Sequence, residues 1–113
     1  MKYSFFESIE KWNDDSFDST FNREINKIPL EDLQLIKAIK HGNYIHELPL
    51  ETIILNKKKE YKTLYIKSGI FFNSITSGCN CSDNFNTNNI LNEYCELLFK
   101  LEENGDVVEI SLI

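Results

Sequence analysis

Breakers and arginine are scarce in this sequence: 113 residues hold 2 prolines, 4 glycines and a single arginine, Arg23. So few breakers exclude a flexible linker, and no repeat recurs at solenoid spacing, so residues 1–113 read as one domain. Apolar runs are short as well. Stretches such as Ile53-Ile54-Leu55 fall far below the roughly 20 residues of a membrane-crossing helix. Glu7 and Glu10 interrupt the region where an export signal needs an unbroken apolar core, so a cytoplasmic location is expected, with no membrane partner. Basic charge is also in deficit. Lys plus Arg number 12 against 18 Asp plus Glu, a formal net charge of −6, and a nucleic-acid reader carries the opposite balance. Neither a phosphate-cradling glycine loop nor a G-x-S-x-G or H-E-x-x-H string occurs, and Asp14-Asp15-Ser16 lacks the glycine and distal glutamate of a calcium loop.

Apolar residues are plentiful, at 42% of the chain, enough for a real core. Their period changes along the chain. Phe5, Ile9 and Trp12 recur at helical spacing, and Ser4 with Glu7 forms a capping-box pattern, which predicts a helix over 4–13. Phe17, Phe21, Ile25 and Ile28 mark a second helical stripe. Pro29, followed by Glu31 and Asp32, predicts a third helix over 29–41 with Leu30, Leu33, Ile36 and Ile39 inside and Gly42 as its stop. From Thr52 the pattern turns β-rich. Lys57-Lys58-Lys59 reads as a charged turn, Leu64 and Ile66 as the inner side of an alternating strand, and Gly69 as a reversal.

Asn104-Gly105 between two alternating runs predicts a two-residue type I′ hairpin. Its register would face Leu101 with Val108, Phe99 with Ile110 and Leu97 with Leu112 on one apolar side, and Lys100 with Glu109 on the other. The expected fold is α+β: about three N-terminal helices packed on an antiparallel sheet of four or five strands ending in this hairpin.

Chemistry clusters in one place. Cys79, Cys81 and Cys95 lie within 17 positions, and thiolates at this spacing could share a soft cation such as zinc. Asp83 is the nearest fourth ligand in sequence, with His41 and His46 as candidates folding back from the helical half. The competing reading makes Cys95 a small apolar core residue and the other two incidental loop thiols. A redox pair at Cys79 and Cys81 would need a nearby cation or a helix N-terminus to depress a thiol pKa, and no Lys or Arg occurs between Ser68 and Lys100. Gly78-Cys79-Asn80-Cys81-Ser82-Asp83, followed by Tyr94-Cys95 and a closing hairpin, resembles a group of small bacterial proteins of unknown function. That group carries a G-C-x-C-x-D-D-P segment and then a Y-C strand near the C-terminus. This sequence departs from it at Asn84 and Phe85, where Asp and Pro would stand. The resemblance implies a shared β-rich fold and three cysteines that belong together.

Two further features bear on partners. Glu7, Glu10, Asp14, Asp15 and Asp18 crowd the first helix and its exit, an ordinary solvated face that could also steer a basic partner. Tyr61 and Tyr65, with Phe71 or Phe72, could form an aromatic patch on the sheet. Two functions are therefore expected. The first is a small protein holding a structural metal, zinc, through Cys79, Cys81, Cys95 and Asp83. The second is a non-enzymatic acidic module (an inhibitor, immunity-like or adaptor protein) that binds another protein.

Overall fold

A computed structural model describes residues 3–42, 44–75 and 90–113. Two α-helices, α1 (Phe6–Glu10) and α2 (Phe17–Ile25), precede one 3-10 turn, Leu35–Ala38. Four strands follow among the described residues: β1 (Tyr44–Glu60), β2 (Thr63–Ile75), β3 (Ile90–Glu102) and β4 (Val107–Leu112). They form one antiparallel sheet in the order β1-β2-β3-β4.

The expectation of three helices on a sheet is overturned: the described residues are mostly β, and among them only α2 exceeds five residues as an α-helix. Over 29–41 the backbone makes successive i→i+3 bonds, with the N–H groups of Asp32, Leu33 and Gln34 donating to Pro29, Leu30 and Glu31. Gln34 then enters the left-handed region at φ +62°. That rotation buries Leu35 and turns Ile36 outward to 52% exposure, so the helical stripe does not survive. The Gln34 side chain is committed elsewhere, its Nε2 donating to the Ile110 carbonyl at 2.9 Å. The predicted capping box fails for a related reason. Tyr3 to Phe5 pair with the β3–β4 turn, Phe5 N–H donating to Gly105 O and Val107 N–H to Tyr3 O, so Ser4 is drawn into a bridge with Asp106.

Alternation decides which side of the sheet is wet. Leu64, Ile66, Ile70 and Phe72 of β2 and Cys95, Leu97, Phe99 and Leu101 of β3 face inward and are buried. On them sits an aromatic cluster: Phe5 and Phe21 meet Phe99 edge-on at 5.6 and 5.3 Å, and Phe17 stacks on Phe21 at 5.7 Å. The helices are tied by Glu24, whose buried carboxylate accepts from Ser8 N–H at 2.9 Å and Ser8 Oγ at 2.5 Å.

The strand ends differ from the sequence expectation. Lys57-Lys58-Lys59 lies inside β1, paired with Ile66, Tyr65 and Leu64, and the chain turns at Tyr61-Lys62. Tyr61 sits at φ +58° and is 97% exposed. Gly69 lies mid-strand rather than at a reversal; a Cβ there would come within 2.5 Å of the Tyr94 hydroxyl, so the glycine makes room for that ring.

The last hairpin keeps most of its predicted register by a different route. Gly105 N–H donates to Glu102 O and Glu102 N–H to Asp106 O, and only Gly105 has positive φ there, which is a three-residue loop ending in a G1 bulge instead of type I′. Leu101 consequently pairs with Val107, and a register shift between Lys100 and Leu101 restores Lys100 with Glu109, Phe99 with Ile110 and Leu97 with Leu112. Val107 is buried and Val108 exposed, the reverse of the expectation for Val108.

Candidate functional site

Of the proposed metal ligands, Cys95 alone can be placed; Cys79, Cys81 and Asp83 lie outside the described residues, as does the Gly78–Asp83 part of the family-like segment. Cys95 sits on the inner face of β3 opposite Ile70 and is 8% exposed. Burial pushes its thiol up to about 11, with Glu96 adding to the rise and Lys40 opposing it. Such a thiol is protonated at neutral pH and a poor nucleophile. Among the described residues no three His, Cys, Asp or Glu side chains converge as a metal site. His41 and His46 are not joined: His41 follows the 3-10 turn, its N–H donating to Glu93, whereas His46 pairs with Asn73 across β1 and β2.

A different charged residue organises this end of the molecule. Glu93 on β3 is buried, and its Oε1 accepts from Lys40 N–H at 2.9 Å. Its Oε2 accepts from His41 N–H at 2.9 Å, Gly42 N–H at 3.2 Å and Ser74 Oγ at 2.7 Å. Burial alone would raise its pKa, but the bonds from Lys40, Ser74, His41 and Gly42 outweigh it and hold the carboxyl at about 2. Three consecutive N–H groups wrap one carboxylate, so the site's anion is supplied by the protein itself. Gly42 is tight there, since a Cβ would meet Ser74 Oγ at 2.4 Å.

The acids of the helical end are exposed but partly engaged. Glu7 pairs with Arg23 at 3.0 Å, and Asp14 accepts from Ser16 N–H at 2.9 Å and Ser16 Oγ at 3.0 Å, bonds that lower its pKa. Lys57 from β1 approaches the same region, donating to the Trp12 carbonyl and lying 3.9 Å from the Phe17 ring centroid. The acidic face is thus interrupted by cations.

The outward face of the sheet carries the larger unpartnered surface. Pairs across the strands share a side, so Phe71 with Tyr94, Ile75 with Ile90 and Tyr44, and Gly69 with Ile53 all face away from the helices. Phe71 and Tyr94 touch at 4.8 Å between ring centroids while remaining 45% and 36% exposed. Ile53 is exposed beside them, and Tyr44 and Ile90 are exposed further along the face, beyond the polar row of His46, Asn73 and Asn92. Polar groups frame the patch: Tyr94 Oη donates to Glu96 at 3.0 Å, and Lys67 pairs with Glu96 at 3.7 Å. Of the aromatic patch proposed from the sequence, Phe71 belongs here, Phe72 is buried, and Tyr61 stands apart at the β1–β2 turn. Tyr94, Ile53, Tyr44 and Ile90 were missed. The parity of Leu64 and Ile66 carried through Gly69 identifies Phe71 as the outward member of the Phe71-Phe72 pair, and reading Gly69 as a reversal broke that count.

No helix among the described residues is long and apolar enough to cross a membrane. Comparison with family models, curated proteins and solved structures found no match.

Proposed function

We propose that this chain is a non-enzymatic protein-interaction module whose docking surface is the outward face of the sheet. The observation that carries the reading is the group Ile53, Phe71 and Tyr94, large apolar side chains exposed together on one face of a sheet whose other face holds the core, with Tyr44 and Ile90 further along that face beyond the polar row of His46, Asn73 and Asn92. Contiguous exposed apolar surface rimmed by polar groups is the signature of a protein contact. Aromatic residues supply such contacts at low entropy cost, since each orders few torsions on binding. The zinc site through Cys79, Cys81, Cys95 and Asp83 is a separate reading: no group of three His, Cys, Asp or Glu side chains gathers among the described residues, and Cys79, Cys81 and Asp83 lie outside them. Elemental analysis of chelator-free protein tests that site separately.

The experiment places a photo-crosslinking residue at Phe71, at Ile53 or at Asp15 in the full chain and identifies what is captured in cells. One partner captured from Phe71 and Ile53 but not from Asp15 is the expected result. Capture from Asp15 alone would move the docking surface to the acidic helical end, and no specific capture from any position would overturn the module reading.

A further inference from the structure

β4 covers only part of the edge offered by β3. It pairs with Leu97 to Leu101, whereas β3 begins at Ile90. The last contact along this edge is Ile113 N–H donating to Glu96 O at 3.0 Å. Backbone groups of an antiparallel strand alternate in direction. With Glu96 aimed at the β4 side, Tyr94 and Asn92 aim their N–H and C=O groups the same way, and neither has a backbone partner on that side among the described residues.

A groove of about 350 Å³ opens where β4 would continue. One wall is the β3 edge at Tyr94–Glu96, the other is the Lys37–Lys40 segment, and Leu112 and Ile113 close the end. Ala38, Ile39 and Cys95 give it apolar lining. Both Lys37 and Lys40 are exposed at its rim, and neither has an ion-pair partner among the described residues. The one acidic side chain among the described lining residues, Glu96, is already paired with Lys67. The Glu93 clasp holds Lys40 to Gly42 by their N–H groups, which fixes the second wall in place.

We infer that this groove accepts an extended acidic peptide as an added strand, antiparallel to β3 and in line with β4. Main-chain bonds to Asn92 and Tyr94 would supply the pairing, as in other strand-addition complexes. Apolar side chains at alternate positions would enter the groove, and carboxylates would meet Lys37 and Lys40. This site borders the outward-face patch at Tyr94 and Glu96, but its pairing uses the β3 backbone edge and its charge contacts Lys37 and Lys40, so it does not depend on the patch's apolar side chains.

The test selects short displayed peptides with alternating apolar and randomised positions against the full chain, then repeats the selection against the K37E/K40E variant. Both substitutions are on exposed side chains and spare the backbone clasp. Acidic residues should be enriched on the wild type, with affinity falling at least about tenfold on K37E/K40E, and basic residues should replace them on the variant. Amide exchange at Asn92 and Tyr94 should slow when the selected peptide binds. Selection without charge preference, failure to select any peptide, or protection confined to other strands would each overturn the proposal. So would sedimentation showing a dimer that protects the same amides without peptide, because a second copy would then be the occupant.

Discussion

The two faces of one sheet are built from the same strands and yet obey different rules. On the inner face the buried polar groups Ser68, Ser74 and Glu93 are matched: Ser68 Oγ donates to Ile53 O at 2.9 Å, and Ser74 joins three N–H groups on Glu93. On the outer face apolar groups intrude instead, and Phe71 and Tyr94 cover each other only in part. Satisfying the inner face is a condition of folding, because an unpaired buried polar group costs about 1–3 kcal/mol. Leaving the outer face apolar brings folding nothing comparable. The difference separates residues held by stability from those available to a partner.

Substitutions at each face sharpen or break that distinction. The largest effect is expected from Phe99→Ala, which removes the ring against which Phe5 and Phe21 pack; a loss of about 3–5 kcal/mol should appear in urea unfolding. A result under about 1 kcal/mol would deny the aromatic cluster its place as the centre of the core.

Glu93→Gln comes next. An amide nitrogen would replace an oxygen facing N–H and O–H donors, so about 2–4 kcal/mol should be lost at neutral pH. The pH dependence has a definite sign. Glu93 is held at about 2, below its ordinary 4.5, so its stabilising effect is complete above 4.5 and lost as pH falls toward 2. The gap between wild type and Glu93→Gln should therefore narrow across that window in denaturant titrations, and a constant gap would assign the loss to packing.

Asn26→Ala should cost about 1–2 kcal/mol. The Asn26 side chain accepts from Leu50 N–H at 2.7 Å and donates to Leu50 O at 3.1 Å, while Asn22 accepts from Thr52 N–H at 3.0 Å. Together they close the outer edge of β1 that would otherwise invite another strand. Faster amide exchange at Leu50 and Thr52 checks this.

The smallest stability effect belongs to Phe71→Ser, within about 0.5–1 kcal/mol of wild type, together with loss of partner capture from Ile53. A large destabilisation there would return Phe71 to the ranks of structural residues and erase the contrast between the faces.

How far the sequence reached depends on the range of the interaction in question. α2 was legible, since Phe17, Phe21 and Ile25 at helical spacing need only a local surface to cover. The third helix was not, because Gln34 is turned by a bond to Ile110, 76 residues away in sequence. Lys57-Lys58-Lys59 looked like a turn by charge, but long lysines suit an exposed strand, and Lys57 is drawn onto Phe17. For the candidate site, Phe71 was named from its residue type, whereas its neighbours come from the two flanking strands, β1 and β3. Only pairing brings them together.

By itself the sequence determined the acidic balance, the lack of a long apolar run, the α2 stripe and the inner register of Phe99 with Ile110, all of which follow from composition or from residues joined by a short turn. The tertiary structure alone decided the buried anion clasp at Glu93, the loss of the third helix and the gathering of Tyr44, Ile53, Phe71 and Tyr94 on one surface. Each of these rests on contacts between distant segments, whose energy is realised only after the chain has closed the loops between them.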